Sequence, residues 1–140
     1  MRKKSSNRPS LSAMTGHIER LCRDADITWR PCLQRVDRAF SLSLVDCELF
    51  DIPREIVTAP IRSVFSYATA LHEIGHYLSR YQRSKNSMTC EWWAWSWARA
   101  NALVWTEAME RYAVCTLATC EKLEAERRRR KTVRRSALRR

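Results

Sequence analysis

Glycine is nearly missing from these 140 residues: Gly16 and Gly75 are the only two, beside four prolines. A chain with so few residues suited to positive φ cannot make the many tight turns of a strand-rich sandwich, which points toward helices. Long apolar runs are also lacking, and none approaches the roughly 20 residues of a membrane span. Residues 1–9 are basic and polar with no apolar signal segment behind them, so the expectation is a water-soluble protein that stays in the cytoplasm. Six cysteines occur, but no Cys-x-x-Cys pair, which excludes a zinc ribbon on spacing. Without an export signal they read as free, mostly buried thiols in a reducing compartment; the alternative is a disulfide framework.

Acidic residues are absent from one stretch. Arg127, Arg128, Arg129, Arg130, Lys131, Arg134, Arg135, Arg139 and Arg140 follow one another with no Asp or Glu between them. Most of the formal net charge of +11 therefore sits in residues 127–140, a basic tail behind a nearly balanced body. Such a tail suits nucleic-acid phosphate or another acidic surface, through attraction that salt weakens; the alternative is a solvated helix end that aids solubility. With 45% hydrophobic residues the rest can bury a real core. The expected organisation is a disordered basic lead-in at 1–9, one domain at 10–126, and the tail.

Along that domain, Leu11, Met14, Ile18 and Leu21 recur at spacings of three and four, which predicts a helix from Ser10 to about Cys22. His17 lies on or beside its apolar face, as a packed or solvated residue or a metal ligand. Ile27-Thr28-Trp29, the alternating run from Phe40 to Asp46, and Glu55 to Ala59 read as three strands of a small antiparallel sheet packed on helices, an α+β arrangement. Residues 55–59 are either structural or the edge strand that holds an extended peptide. Ser63 is placed to cap a helix running to about Gln82, residues 83–87 read as a polar loop, and the next helix is expected to start near Thr89. Thr106 or Glu107 opens the last helix, with Ala108, Tyr112, Cys115, Leu117 and Leu123 as its core contacts.

Within the central helix stands His72-Glu73-Ile74-Gly75-His76. In helical geometry the two imidazoles lie one turn apart, about 6 Å along the axis and roughly 40° around it, close enough to share one ion. Neutral imidazoles leave most of the charge of Zn²⁺ uncompensated, so a water it holds loses a proton near neutral pH. Glu73, turned away from direct coordination, is placed to accept that proton and return it. The bland alternative is a pair of ordinary core or surface histidines. Gly75 costs about 1 kcal/mol in a helix relative to alanine, which suggests that backbone or substrate comes close there.

A third ligand is expected downstream. Glu91, Ala94, Trp95, Ala98 and Ala102 share one face of the next helix, while Trp93, Trp97, Ala100 and Val104 form a second apolar strip beside it. A helix apolar around most of its girth is buried, and a buried Glu91 would need a partner such as a metal held by His72 and His76. The alternatives are an exposed first-turn acid or an ion pair with Arg80 or Arg83. Glu107, Glu110 and Asp46 are the other candidate carboxylates. The tryptophans follow packing geometry rather than forming a platform for stacking bases. Tyr112 is either a packed residue or a donor to an oxyanion.

The segment from Ala70 to His76, followed by Glu91-x-x-Ala94-x-x-Trp97-Ala98, resembles the ImmA/IrrE family of small intracellular zinc metallopeptidases, over about residues 54–117. The resemblance implies a zincin-like domain in which His72, His76 and Glu91 bind one zinc ion and Glu73 is the catalytic base. It also implies a protein encoded by a phage or mobile element, acting in a bacterial host cell on an intracellular protein, which could be a DNA-bound regulator. The leading expectation is a zinc-dependent metallopeptidase. The rival is a non-catalytic, metal-containing nucleic-acid-associated or phage assembly protein that works through its basic tail.

Overall fold

The computed structural model describes residues 8–32 and 39–139. Its elements follow the order α1 (Leu11–Asp24), β1 (Ile27–Pro31), β2 (Phe40–Ser41), α2 (Leu44–Leu49), β3 (Arg54–Thr58), α3 (Val64–Leu78), α4 (Ser87–Asn101) and α5 (Glu107–Ala137). The expected α+β arrangement is present, mostly helical with three strands. The expected lead-in over residues 1–9 lies mainly outside the described residues.

The sheet differs from expectation in its pairing. β3 is central, parallel to β1 with Trp29 opposite Ile56, and antiparallel to β2 with Phe40 opposite Val57. The sheet is therefore mixed rather than antiparallel, and the strand at 54–58 is flanked on both sides, not an edge. The predicted strand at 40–46 breaks after Ser41. Ser43 Oγ accepts from the backbone N–H of Asp46 and starts α2, so a helix cap overrides the period-two alternation.

Helix α3 is the axis of the fold. A reciprocal capping box between Ser63 and Ser66 starts it, and nine of its fifteen residues are buried. It packs against α1, α4, α5 and the strands β2 and β3. Leu71 and Ile74 are fully buried, each contributing about 1.5–3 kcal/mol of hydrophobic stabilisation. Tyr77 ties the helix to the sheet: its hydroxyl donates to the Glu55 carbonyl at 2.9 Å and accepts from the Glu55 N–H at 3.2 Å. α3 ends at Leu78, short of the expected Gln82.

α4 begins two residues before the expected Thr89, because the Asn86 side chain accepts from the N–H groups of Met88 and Thr89. Only Ala94, Trp95 and Ala98 are buried on it, whereas Trp92 is 54% exposed, so the helix is covered on one face rather than around its girth. Thr106 caps α5. Met109 and Ala113 bring α5 into the core, with Tyr112 and Leu117 at its margin; Cys115 is exposed, contrary to expectation. No described helix is long and apolar enough to cross a membrane.

Candidate metal centre

His72 and His76 lie one turn apart on α3 with ring centroids 4.6 Å apart. Their Nε2 atoms converge on one carboxylate: Glu91 Oε2 is 2.9 Å from His72 Nε2, and Glu91 Oε1 is 3.2 Å from His76 Nε2. His72, Glu73 and His76 form a group that could hold a metal ion, with one ligand atom of each within 4.8 Å of the others. Glu91 enters from α4, on the face that carries the buried Ala94, Trp95 and Ala98.

That meeting depends on a close crossing of α3 and α4. A Cβ on Gly75 would lie 2.6 Å from the carbonyl oxygen and 3.0 Å from the Cα of Ala94. Only a residue without a side chain admits the α4 backbone here, which explains the helix-weakening glycine.

The far nitrogens of the two rings are also occupied. His76 Nδ1 is 3.0 Å from Gln82 Oε1, and the Gln82 amide nitrogen donates to the Cys90 carbonyl at 3.0 Å, which fixes the orientation of the amide. His72 Nδ1 is 3.3 Å from Glu73 Oε1. Both Nδ1 atoms thus face acceptors, which suits the tautomer with its hydrogen on Nδ1. In the neutral imidazole each Nε2 is then a bare lone pair aimed at a carboxylate oxygen, an arrangement that needs a proton or a cation between them.

The spacing fits a cation. Ligands at about 2.0–2.1 Å around a tetrahedral zinc ion lie about 3.3 Å from one another, close to the two contacts made by Glu91. Without an ion the group holds protons instead. Burial pushes the pKa of His72 down, but hydrogen bonds and charge from Glu73 and Glu91 outweigh it and raise the value to about 9. Burial pushes Glu91 up, and its hydrogen bonds to His72 and His76 more than reverse this, holding it well below the usual carboxylate range.

The site opens onto a cleft of about 670 Å³, lined by Phe40 and Ser41 on β2, by His72, Glu73, His76 and Glu91, and by Tyr112 and Leu123 on α5. That size suits a ligand site. The strand bordering the cleft is β2, not residues 55–59, of which only Ala59 reaches it. Trp95 forms the wall behind His72, its ring stacked at 4.3 Å and 25°. The Trp95 indole N–H is the one buried side-chain polar atom without a partner among the described residues.

The other candidates lie elsewhere. Glu107 pairs with Arg111, and Glu110 with Arg99 and the Trp105 indole N–H. Asp46 is exposed on α2. Arg83, a suggested partner of Glu91, pairs with Glu48. His17 Nδ1 is 2.6 Å from the Tyr67 hydroxyl, outside the metal group. Tyr112 lines the cleft, but its hydroxyl is 3.1 Å from Thr69 Oγ1, whose own proton goes to the Phe65 carbonyl. Tyr112 therefore donates to Thr69, and its proton is already committed.

Comparison with protein families, curated proteins and solved structures returns no match.

Sequence reasoning missed Gln82, which lies beyond the end of α3 where no helical period reaches. Tyr81, with φ at 61°, turns the chain back so that Gln82 comes under His76. Cys90 supports the same turn, its Sγ lying 3.5 Å from the carbonyl oxygens of Tyr81 and Ser84.

Proposed function

We propose that the protein is a zinc-dependent metallopeptidase of the ImmA/IrrE type, acting on an intracellular protein. The observation that carries this reading is the convergence of two histidine Nε2 atoms on the Glu91 carboxylate, with Glu73 beside them at the floor of an open cleft. His72, His76 and Glu91 would hold the ion; two imidazoles and one carboxylate suit zinc. Zinc would polarise a scissile carbonyl and make water acidic enough to lose a proton near neutral pH.

Glu73 supplies the base. Oε1 contacts His72 Nδ1, and no other hydrogen bond of this carboxylate is among those of the described residues. It would take a proton from the attacking water and pass it to the leaving amine, so that the peptide bond is replaced by a carboxylate and an amine. Gln82 would keep the hydrogen of His76 on Nδ1, leaving Nε2 for the metal. The free thiols of Cys22, Cys32, Cys47, Cys90 and Cys115 suit a reducing, cytoplasmic compartment. The sequence resemblance over residues 54–117 supports the family and a phage or mobile-element setting.

Glu73→Gln tests the reaction. Zinc content and thermal stability should stay near wild type while peptide cleavage is abolished; cleavage at the wild-type rate would remove Glu73 from the mechanism.

A second reading, a non-catalytic nucleic-acid-associated or phage assembly protein that contains a metal, draws on the exposed basic half of α5. It predicts DNA binding that disappears on deletion of residues 127–140, and no cleavage under any metal loading.

A further inference from the structure

The cleft does not end at the core. Thr116, Thr119, Cys120 and Leu123 of α5 line it, and Leu123 also lines a second groove with Arg127, Arg130, Lys131 and Arg134. At 100° per residue these positions fall within a stripe about 120° wide, so one helix face forms the wall of the cleft and then becomes basic. The cleft and the basic groove share a rim.

The cations on this stripe differ in how far they are already satisfied. Arg127 on the stripe reaches Glu124 at 3.6 Å, and Arg128, off the stripe, reaches the same carboxylate at 3.2 Å. Arg130, Lys131 and Arg134 have no ion pair among those of the described residues. Glu126 is the only acid lining the groove. Along the axis, Arg127 to Arg134 spans about 10 Å, the reach of roughly three extended residues.

We propose that the basic face of α5 beyond Leu123 binds an acidic stretch of the protein substrate, so that cleavage is directed to peptide bonds flanked on one side by a short run of Asp or Glu. The word substrate rests on the peptidase reading above. The location of the stripe favours this occupant: carboxylates on a chain leaving the cleft past Leu123 meet Arg130, Lys131 and Arg134 in succession. Single-stranded nucleic acid is the weaker fit, because residues 124–140 hold no aromatic side chain to stack a base, and Leu123 lines both the groove and the cleft.

The test uses the full-length, zinc-loaded protein and three pools of internally quenched peptides with the same randomised centre. One pool carries glutamates before the centre, one carries them after it, and one carries glutamines on both sides. One glutamate pool should be cut about tenfold faster than the glutamine pool at low salt, and the advantage should shrink at high salt. Arg130→Gln, Lys131→Gln and Arg134→Gln together should erase that ratio. Arg128→Gln, Arg129→Gln and Arg135→Gln remove the same charge from the other faces and should keep it. Equal cutting of all pools, or equal loss in both triple variants, would overturn the proposal.

Fluorescence anisotropy of the Glu73→Gln protein with a labelled glutamate-flanked peptide separates the two readings. Binding that depends on the stripe, with no pool cut by wild type, would sink the peptidase reading and leave the acidic-ligand site standing. Tighter stripe-dependent binding of a DNA duplex than of the glutamate peptide would overturn the proposal in favour of nucleic acid.

Discussion

Gly75 and Ala94 hold α3 and α4 so close that a single methyl group on Gly75 would lie 2.6 Å from the Ala94 carbonyl oxygen. The obstacle is backbone, which cannot swing aside as a side chain can. Gly75→Ala should gain about 1 kcal/mol of helix propensity and lose about 1–3 kcal/mol to overpacking, for a net loss of stability. Because Glu91 rides on α4, the same change should weaken metal binding. Chemical denaturation and a chelator competition check the two effects separately.

Gln82 Oε1 lies 3.0 Å from His76 Nδ1, and in the proposed metal site it would keep the hydrogen there and leave Nε2 for the ion. Gln82→Ala should lower metal affinity about 10–100-fold with the fold preserved, the usual cost of losing a partner behind a ligand. An unchanged affinity would show that the His76 tautomer is set without it.

The metal-free protein should have a pH signature. His72 titrates at about 9 when folded against 6.5 when unfolded, so its contribution to stability is complete below about pH 6.5 and lost as pH rises toward 9. Glu91 is depressed from 4.5, so its contribution is present above about pH 4.5 and lost on acidification through its lowered folded value. Thermal stability of the metal-free protein should therefore peak near pH 5–6.5 and decline by pH 9. In the proposed zinc form the ion would replace the protons shared by these groups, so the zinc-loaded protein should not show the alkaline decline. Melting curves with and without zinc across this range check both limbs.

Trp95 separates packing from hydrogen bonding. Trp95→Ala should cost about 3–5 kcal/mol and open the wall behind His72. Trp95→Phe keeps an aromatic ring there and removes the unpartnered indole N–H, so its cost should stay under about 1.5 kcal/mol. Denaturation midpoints of the two variants give the comparison.

The residues that meet at the candidate site could largely be read from local pattern. His72, Glu73 and His76 lie within one capped helix, and Glu91 shares a period with Ala94, Trp95 and Ala98, so two faces that must meet were visible before any contact was known. Features that depend on distant pairing were not. β1 and β3 run parallel because of contacts between residues far apart in the chain, and no strand's own alternation encodes that. Ser43 shows a different failure, a single hydroxyl diverting an alternating run into α2. Gln82 was hidden because a left-handed Tyr81, not a periodic repeat, delivers it to His76.

X-ray absorption at the zinc edge, on protein purified without chelator, tests the central claim most directly. The account predicts about one zinc per chain, with two imidazole nitrogens and carboxylate oxygen at about 2.0–2.1 Å and no sulfur, and loss of the ion in Glu91→Ala. Sulfur ligands at about 2.3 Å, or zinc retained unchanged in Glu91→Ala, would contradict it.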